Sequence, residues 1–292
     1  MGVATLRQNF QDWITQQWVI LFGKKIIPHQ NEWLIGPFGK PKGIGLKFIK
    51  QLTLNEHLEI YKNERERGLI RSINQLNLSN QELNCLSENV IDFYESTSSY
   101  EFDLKVKWNP FFKAFGGLLK ILFSNRIEQL NLPMGNNKNS TTLKSEIIHL
   151  VDKKTKELKR TIWLRTINNS EKVVYSGVYE TCIIPDGQTC IKAVFPLPNG
   201  NATVILKPSV GKSGELILKS SGRKIGDSGF YFLLNDAKGN LWTKYIKSFK
   251  DQLVVSSDHG NITAIQTLTL WNLKVLEFKY NINKRHTTHS NK

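Results

Sequence analysis

The chain has 292 residues, 40% hydrophobic and 22% charged, which excludes wholesale disorder and suffices for one large core or two ordinary ones. A net charge of +15 favours anionic partners, but the lysines are scattered, so nucleic acid is disfavoured. Three cysteines do not make a disulfide framework, no stretch approaches the ~18 apolar residues of a membrane span, and residues 1–25 lack a secretory signal. The expectation is a cytoplasmic protein.

Residues 4–22 predict a helix in which Leu6, Phe10, Trp13, Ile14, Trp18 and Leu21 recur at helical spacing, with Gly23 as its C-cap. Such a stripe normally faces a core; the sharper reading is a helix lying on a bilayer surface. The stretch GPFGKPKGIG (36–45) looks like a phosphate cradle. However, no Ser or Thr follows either lysine, as a Walker loop requires, and no third glycine completes a dinucleotide fingerprint. Pro37 and Pro41 also remove two backbone donors. The segment therefore reads as a turn-rich lead into a helix or docking segment. Residues 54–75 suggest one or two helices broken near Gly68.

Ser79 can cap a helix with Glu82 three residues on, and Ser87 can cap the next. In that next helix Glu88, Asp92 and Glu95 share one face, and Val90, Phe93 and Tyr94 cover the other. Residues 108–125 are apolar nearly all round. They predict a helix buried between layers, or one that touches a membrane surface as a peripheral contact.

A polar, turn-forming stretch (131–142) marks a boundary, and beyond it the hydrophobic period becomes two. TIWLRTI, KVVYSGVYETCII, IKAVFPL, ATVILKP, ELILKS, FYFLL, NLWTKYI, NITAIQTLTL and LKVLEFKYNI read as strands separated by Gly, Asn, Asp and Pro turns. Helix-length connections are missing, so pairing is antiparallel, and so many hairpins should close into a barrel or pack as two sheets. In CIIPDGQTC, a loop with Gly187 left-handed makes Cys182 face Cys190, in a geometry that leaves both thiols reduced. The predicted fold class is α+β. A mainly helical part (1–130) packs on a large antiparallel β-barrel or β-sandwich (142–283), followed by a disordered tail (284–292).

No HExxH, Cys–His metal spacing, CxxC or GxSxG occurs, so no metal or cofactor is expected. Three functional readings remain. A barrel of eight or more strands leaves room for one ligand, and Trp163, Tyr175, Tyr179, Phe195 and Trp271 are the candidate lining for an apolar or amphipathic, lipid-like molecule. Alternatively, Asp92, Tyr94 and Glu95 form an acid/base site of an enzyme, if one carboxylate is desolvated. A third reading, a binder of anionic surfaces or nucleic acid, rests on LWTKYIKSFK (241–250), whose aromatic and basic residues interleave.

The stretch IDFYESTSSYEFDLKVKWNPFF resembles a widespread bacterial family of uncharacterised proteins. In that family a DFYEHT-like stretch precedes an aromatic–Asp–Trp–Pro–Phe pattern. Asp92, Phe93, Tyr94, Glu95, Thr97, Tyr100, Asp103, Trp108, Pro110 and Phe111 match it. Looser similarity extends through GPFGKPKGIG, RIEQLNLP, TIWLRT, VYSGVY and VFPLPNGNATVILKP. The resemblance implies a helical first part and a β-rich second part, with no established activity. Ser96 stands where the family carries histidine, which removes the one group that titrates near neutral pH.

Overall fold

The computed structural model describes residues 2–5, 10–39, 46–61, 67–112, 141–167 and 173–285. Along the chain the helices are α1 (Phe10–Phe22), α2 (Leu46–Asn55), α3 (Asn80–Cys85) and α4 (Glu88–Glu95). The strands are β1 (Lys24–Ile26), β2 (Leu58–Ile60), β3 (Tyr100–Trp108), β4 (Thr141–Asp152), β5 (Leu158–Ile167), β6 (Val173–Ile183) and β7 (Thr189–Leu197). They continue with β8 (Gly200–Val210), β9 (Leu216–Lys219), β10 (Gly229–Asn235), β11 (Leu241–Tyr245), β12 (Phe249–Asp258), β13 (Asn261–Leu270) and β14 (Leu273–Lys284).

Ten strands close on themselves in the order β3-β4-β5-β6-β7-β8-β9-β12-β13-β14, with β14 returning to β3. Every pairing within this ring is antiparallel. The fold is therefore a closed barrel rather than a sandwich, and closure removes the free edges that a long sheet would expose. A branch, β10-β11-β1, extends from β8, and β2 pairs with the far end of β4. The described residues are mostly β, with a few helices toward the N-terminus.

The barrel strand β3 lies in the stretch read as helical. Its burial alternates without a break: Tyr100, Phe102, Leu104, Val106 and Trp108 are buried, while Glu101, Lys105 and Lys107 are exposed. Inward residues of β3, β14 and the facing strands form the largest core, centred on fully buried Phe102 and Phe278. Burying each such ring contributes a few kcal/mol at ~25 cal/mol per Å².

The Ser79 capping box forms: the Ser79 hydroxyl accepts from the Glu82 backbone N–H, and Glu82 accepts from the Ser79 backbone N–H. Ser87 opens α4 without a side-chain cap. Val90, Phe93 and Tyr94 are the buried face of α4, as its spacing predicts. Phe93 meets Tyr100 and Phe102 edge-on, with ring centroids 5.4 and 5.9 Å apart, so α4 stoppers one end of the barrel.

Two expectations are corrected. Among the described residues of 54–75, helix is confined to the end of α2 at Asn55 and a short 3-10 segment. Leu54 and Asn55 end α2, Leu58–Ile60 pairs with β4, the rest of the described stretch is turns, irregular backbone and the 3-10 segment (Ile73–Leu76), and Gly68 packs against the carbonyls of Tyr94 and Glu95. In α1 the packed face is Gln16, Val19 and Ile20, whereas Phe10, Ile14, Trp18, Leu21 and Phe22 are exposed. Helical spacing gave the helix, but its richest aromatic stripe faces outward. Gly23 follows α1 at a position only glycine fits, since a Cβ there would lie 2.2 Å from the Val19 carbonyl and 2.5 Å from that of Thr243.

The hairpin reading at CIIPDGQTC holds. Gly187 is left-handed, Cys182 pairs with Cys190, and both thiols are free. Most of the predicted apolar helix at 108–125, from residue 113 onward, lies outside the described residues, as do residues 40–45 and the tail beyond Arg285.

Candidate functional site

The interior of the barrel holds a cavity of about 90 Å³. Strand alternation supplies its walls. On β5, Trp163 and Arg165 share the inward face; on β6, Tyr175 and Tyr179 do. Phe195 comes from β7, Asp251 from β12, Gln266 from β13 and Tyr280 from β14, while Tyr94 reaches in from α4. Of the five residues the sequence singled out as ligand lining, the structure brings together Trp163, Tyr175, Tyr179 and Phe195. Trp271 sits elsewhere, 69% exposed in the left-handed turn between β13 and β14.

Aromatic rings form a near-continuous wall. Trp163 and Tyr179 meet at 5.5 Å, Tyr179 and Phe195 at 6.4 Å, and Tyr175 and Phe195 at 6.1 Å between centroids. Gly177, opposite Trp163, keeps space open: a Cβ there would lie 2.9 Å from the Phe195 ring.

Into this wall projects a charge. Arg165 is 6% exposed. Its guanidinium lies 4.2 Å from the Trp163 ring centroid, 4.7 Å from that of Tyr175 and 5.7 Å from that of Tyr280. One terminal nitrogen donates to the Tyr280 hydroxyl at 3.3 Å, and Nε has no partner. Among the described residues, no ion pair within 4 Å involves Arg165. Desolvating a guanidinium costs several kcal/mol. A desolvated cation–π contact returns about 2 kcal/mol, and an unmade buried hydrogen bond costs ~1–3 kcal/mol more. The site therefore carries a positive charge that the protein only partly compensates.

Asp251 is 7% exposed. Its Oδ2 accepts from Gln266 Nε2 at 2.8 Å, while Oδ1 has no partner. Burial pushes this carboxyl up to about 7, against the smaller opposing effect of the Gln266 hydrogen bond. Burial also raises Tyr175 well above its usual range and keeps Tyr94 protonated. Thus an unused donor and an unused acceptor line one aromatic cavity.

The three acid/base candidates of α4 are not brought together there. Tyr94 lines the cavity, but Asp92 and Glu95 do not. Asp92 accepts from the Tyr100 hydroxyl at 2.5 Å and from Lys284 at 2.7 Å. Burial acts to raise Asp92, but these hydrogen bonds outweigh it and hold the carboxyl below its usual value. Glu95 accepts from the Ile73 backbone N–H at 2.6 Å, anchoring the turn before α3. Asp92 thus fastens the stopper to barrel strands β3 and β14, and Glu95 fastens it to the 3-10 segment that precedes α3.

In the basic 241–250 stretch, Trp242 donates to Asp236 at 3.0 Å and Lys244 donates to the Phe22 carbonyl at 2.6 Å. Both groups are engaged within the fold. Sequence reasoning missed Arg165, Asp251 and Gln266 as site residues. Their signal was alternation: Arg165 is two residues from Trp163, and Asp251 is two from Leu253, on faces otherwise apolar.

The chain is 27% identical over 248 residues to a Bacillus subtilis (strain 168) protein called "Uncharacterized membrane protein YndJ". The match covers 84% of this chain and 42% of that protein, so the chain spans about two-fifths of its relative's length. That relative is itself uncharacterised, in agreement with the family resemblance drawn from the motif. No family model and no solved structure matches the chain.

Proposed function

We propose that the protein binds one compact amphipathic molecule inside its barrel. The observation that carries this reading is a cavity walled by aromatic rings yet holding a buried guanidinium with an unpartnered Nε. A purely structural core has no use for that group. Even a paired buried charge is often no more stabilising than apolar side chains of similar volume, and this one has no counter-ion in ion-pair range among the described residues. The cavity volume of about 90 Å³ is that of roughly three waters at ~30 Å³ each, well below the ~300–1,000 Å³ of drug-sized pockets. The interior as it stands therefore suits a molecule of a few heavy atoms, smaller than the lipid-like ligand suggested by the sequence.

A thermal-shift screen of small amphipathic fragments tests this. Wild-type protein should respond to a subset. A folded Ala193→Phe variant, which fills the cavity from β7, should respond to none of them. Identical responses from both proteins would remove the pocket from consideration.

A second reading is favoured by α1, whose outward stripe of Phe10, Ile14, Trp18, Leu21 and Phe22 is 39–71% exposed. Lys24 and Lys25 follow directly. An apolar stripe beside lysines suits adsorption to an anionic bilayer. Among the described residues, no helix is long and apolar enough to cross a membrane, and the YndJ relative is called a membrane protein. Wild type should co-sediment with phosphatidylglycerol vesicles and a Trp18→Glu/Phe22→Glu variant should not; equal sedimentation would refute this reading.

A further inference from the structure

We infer that the ligand of the barrel cavity is a small carboxylate, held by the Arg165 guanidinium at one end and by the aromatic wall along its body. This inference rests on the pocket proposed above and adds the chemical class of its occupant. The argument runs through what the cavity leaves unused.

Arg165 presents a donor, Nε–H, with no acceptor inside the protein, and its charge has no anion within ion-pair range among the described residues. A neutral ligand could fill the hydrogen bond but not the charge. An anionic oxygen fills both, in a charge-assisted bond that is roughly twice as strong as a neutral one. A guanidinium also presents two parallel donors that match a carboxylate.

Asp251 supplies the second half of the recognition. Its free Oδ1 lines the same cavity, and Oδ2 is already committed to Gln266. In its protonated form Oδ1 donates to the ligand's other oxygen. Ionised, it would repel the ligand, so occupancy by an anion and protonation of Asp251 favour each other. The Tyr280 hydroxyl, bonded to Arg165, fixes the guanidinium plane. Glu180 also lines the cavity, but its carboxylate is paired with Arg160 and Lys192; the rest of the lining is aromatic and aliphatic, and the cavity volume limits the body to a few carbons. Inorganic anions are a poorer fit, because they would leave the faces of Tyr175, Tyr179 and Phe195 against a strongly hydrated ion.

Calorimetric titration of the full chain tests the assignment, using straight-chain carboxylates of about two to eight carbons and the matching primary alcohols. Carboxylates should bind wild type with a preference for the shorter members, and each should bind at least about tenfold more tightly than its alcohol. Arg165→Met should lose about 100-fold in carboxylate affinity while alcohol binding persists. Should Arg165→Met fail to fold, Arg165→Lys, which keeps the charge but not the fork, should still lose at least about tenfold. Alcohols binding as tightly as carboxylates would overturn the anionic ligand and leave the pocket standing. Carboxylate binding that is indifferent to both Arg165 variants would do the same. No binding of either series would overturn both.

Discussion

Replacing Asp251 by Asn should stabilise the protein at neutral pH and leave it unchanged in acid. Asn has the same shape and keeps an acceptor for Gln266, which donates to Asp251 Oδ2 at 2.8 Å. The carboxyl shares its cavity with Arg165, Tyr94, Tyr175, Tyr179, Glu180, Tyr280 and Gln266. Burial raises Asp251 from 3.8 to about 7. At ~1.4 kcal/mol per tenfold change in proton affinity, that difference is worth roughly 4 kcal/mol. Between about pH 4 and 7 the folded protein holds a proton that the unfolded chain has released. Stability from this group is therefore full below the unfolded value and declines as pH rises through that window. Above about pH 7 the decline is complete. Asn cannot ionise, so the variant escapes it. Urea unfolding of both proteins at about pH 4, 6 and 8 measures the gap directly, since every other titrating group cancels. The gap should open from near zero to several kcal/mol. A gap that is constant with pH, or a variant less stable at pH 8 than wild type, would refute the reasoning.

Four further outcomes follow from the packing. Phe102→Ala should cost ~3–5 kcal/mol in chemical denaturation, because it empties a fully buried site between α4 and the barrel; a cost below about 1 kcal/mol would show that the core does not pack as described. Ser79→Ala should cost about 1 kcal/mol through loss of the capping box, measured by the same assay. Gly68→Ala should be among the more damaging small substitutions, since its Cβ would lie 2.3 Å from the Glu95 carbonyl oxygen; chemical denaturation measures the loss, and a cost near zero would show that the backbone there gives way freely. With a thiol reagent at about pH 8, native protein should show one fast thiol, Cys85, and all three only after denaturation. Burial raises Cys182 to about 11 and Cys190 to about 12, whereas Cys85 is exposed.

Much of the barrel is legible from local chemistry. The hairpin at residues 182–190 follows from Pro185-Asp186-Gly187 alone, because only a left-handed Gly187 sets Cys182 against Cys190. Strand β3 carried an equally clear period of two, but its neighbours are a helix and an apolar Pro–Phe stretch, and membership of the barrel depends on β14, far along the chain. The aromatic lining was readable because large apolar side chains on one strand face must be buried somewhere. Arg165 and Asp251 were not, because a single charge on a strand normally faces water. Only tertiary closure puts water on the other side. Trp271 shows the reverse failure: its size argued for burial, yet it occupies a turn. For α1, periodicity identified the helix but could not say which face meets the sheet, since both faces carry apolar residues.

The ring is joined by its first and last members: β3 (Tyr100–Trp108) meets β14 (Leu273–Lys284) along nine paired positions, from Leu276↔Trp108 to Lys284↔Tyr100. During synthesis, β3 leaves the ribosome long before its partner exists. At ~5–20 residues per second, the chain between them takes on the order of ten seconds or more to appear. Throughout that interval β3 presents an unpaired edge and an uncovered row of Phe102, Leu104, Val106 and Trp108. Pairs so distant in sequence also make for slow folding, because loop entropy is spent before the contact forms. The nascent chain thus has a long window in which β3 can pair with another molecule, and the lysines and acids on its alternate positions, Glu101, Asp103, Lys105 and Lys107, are what oppose that pairing.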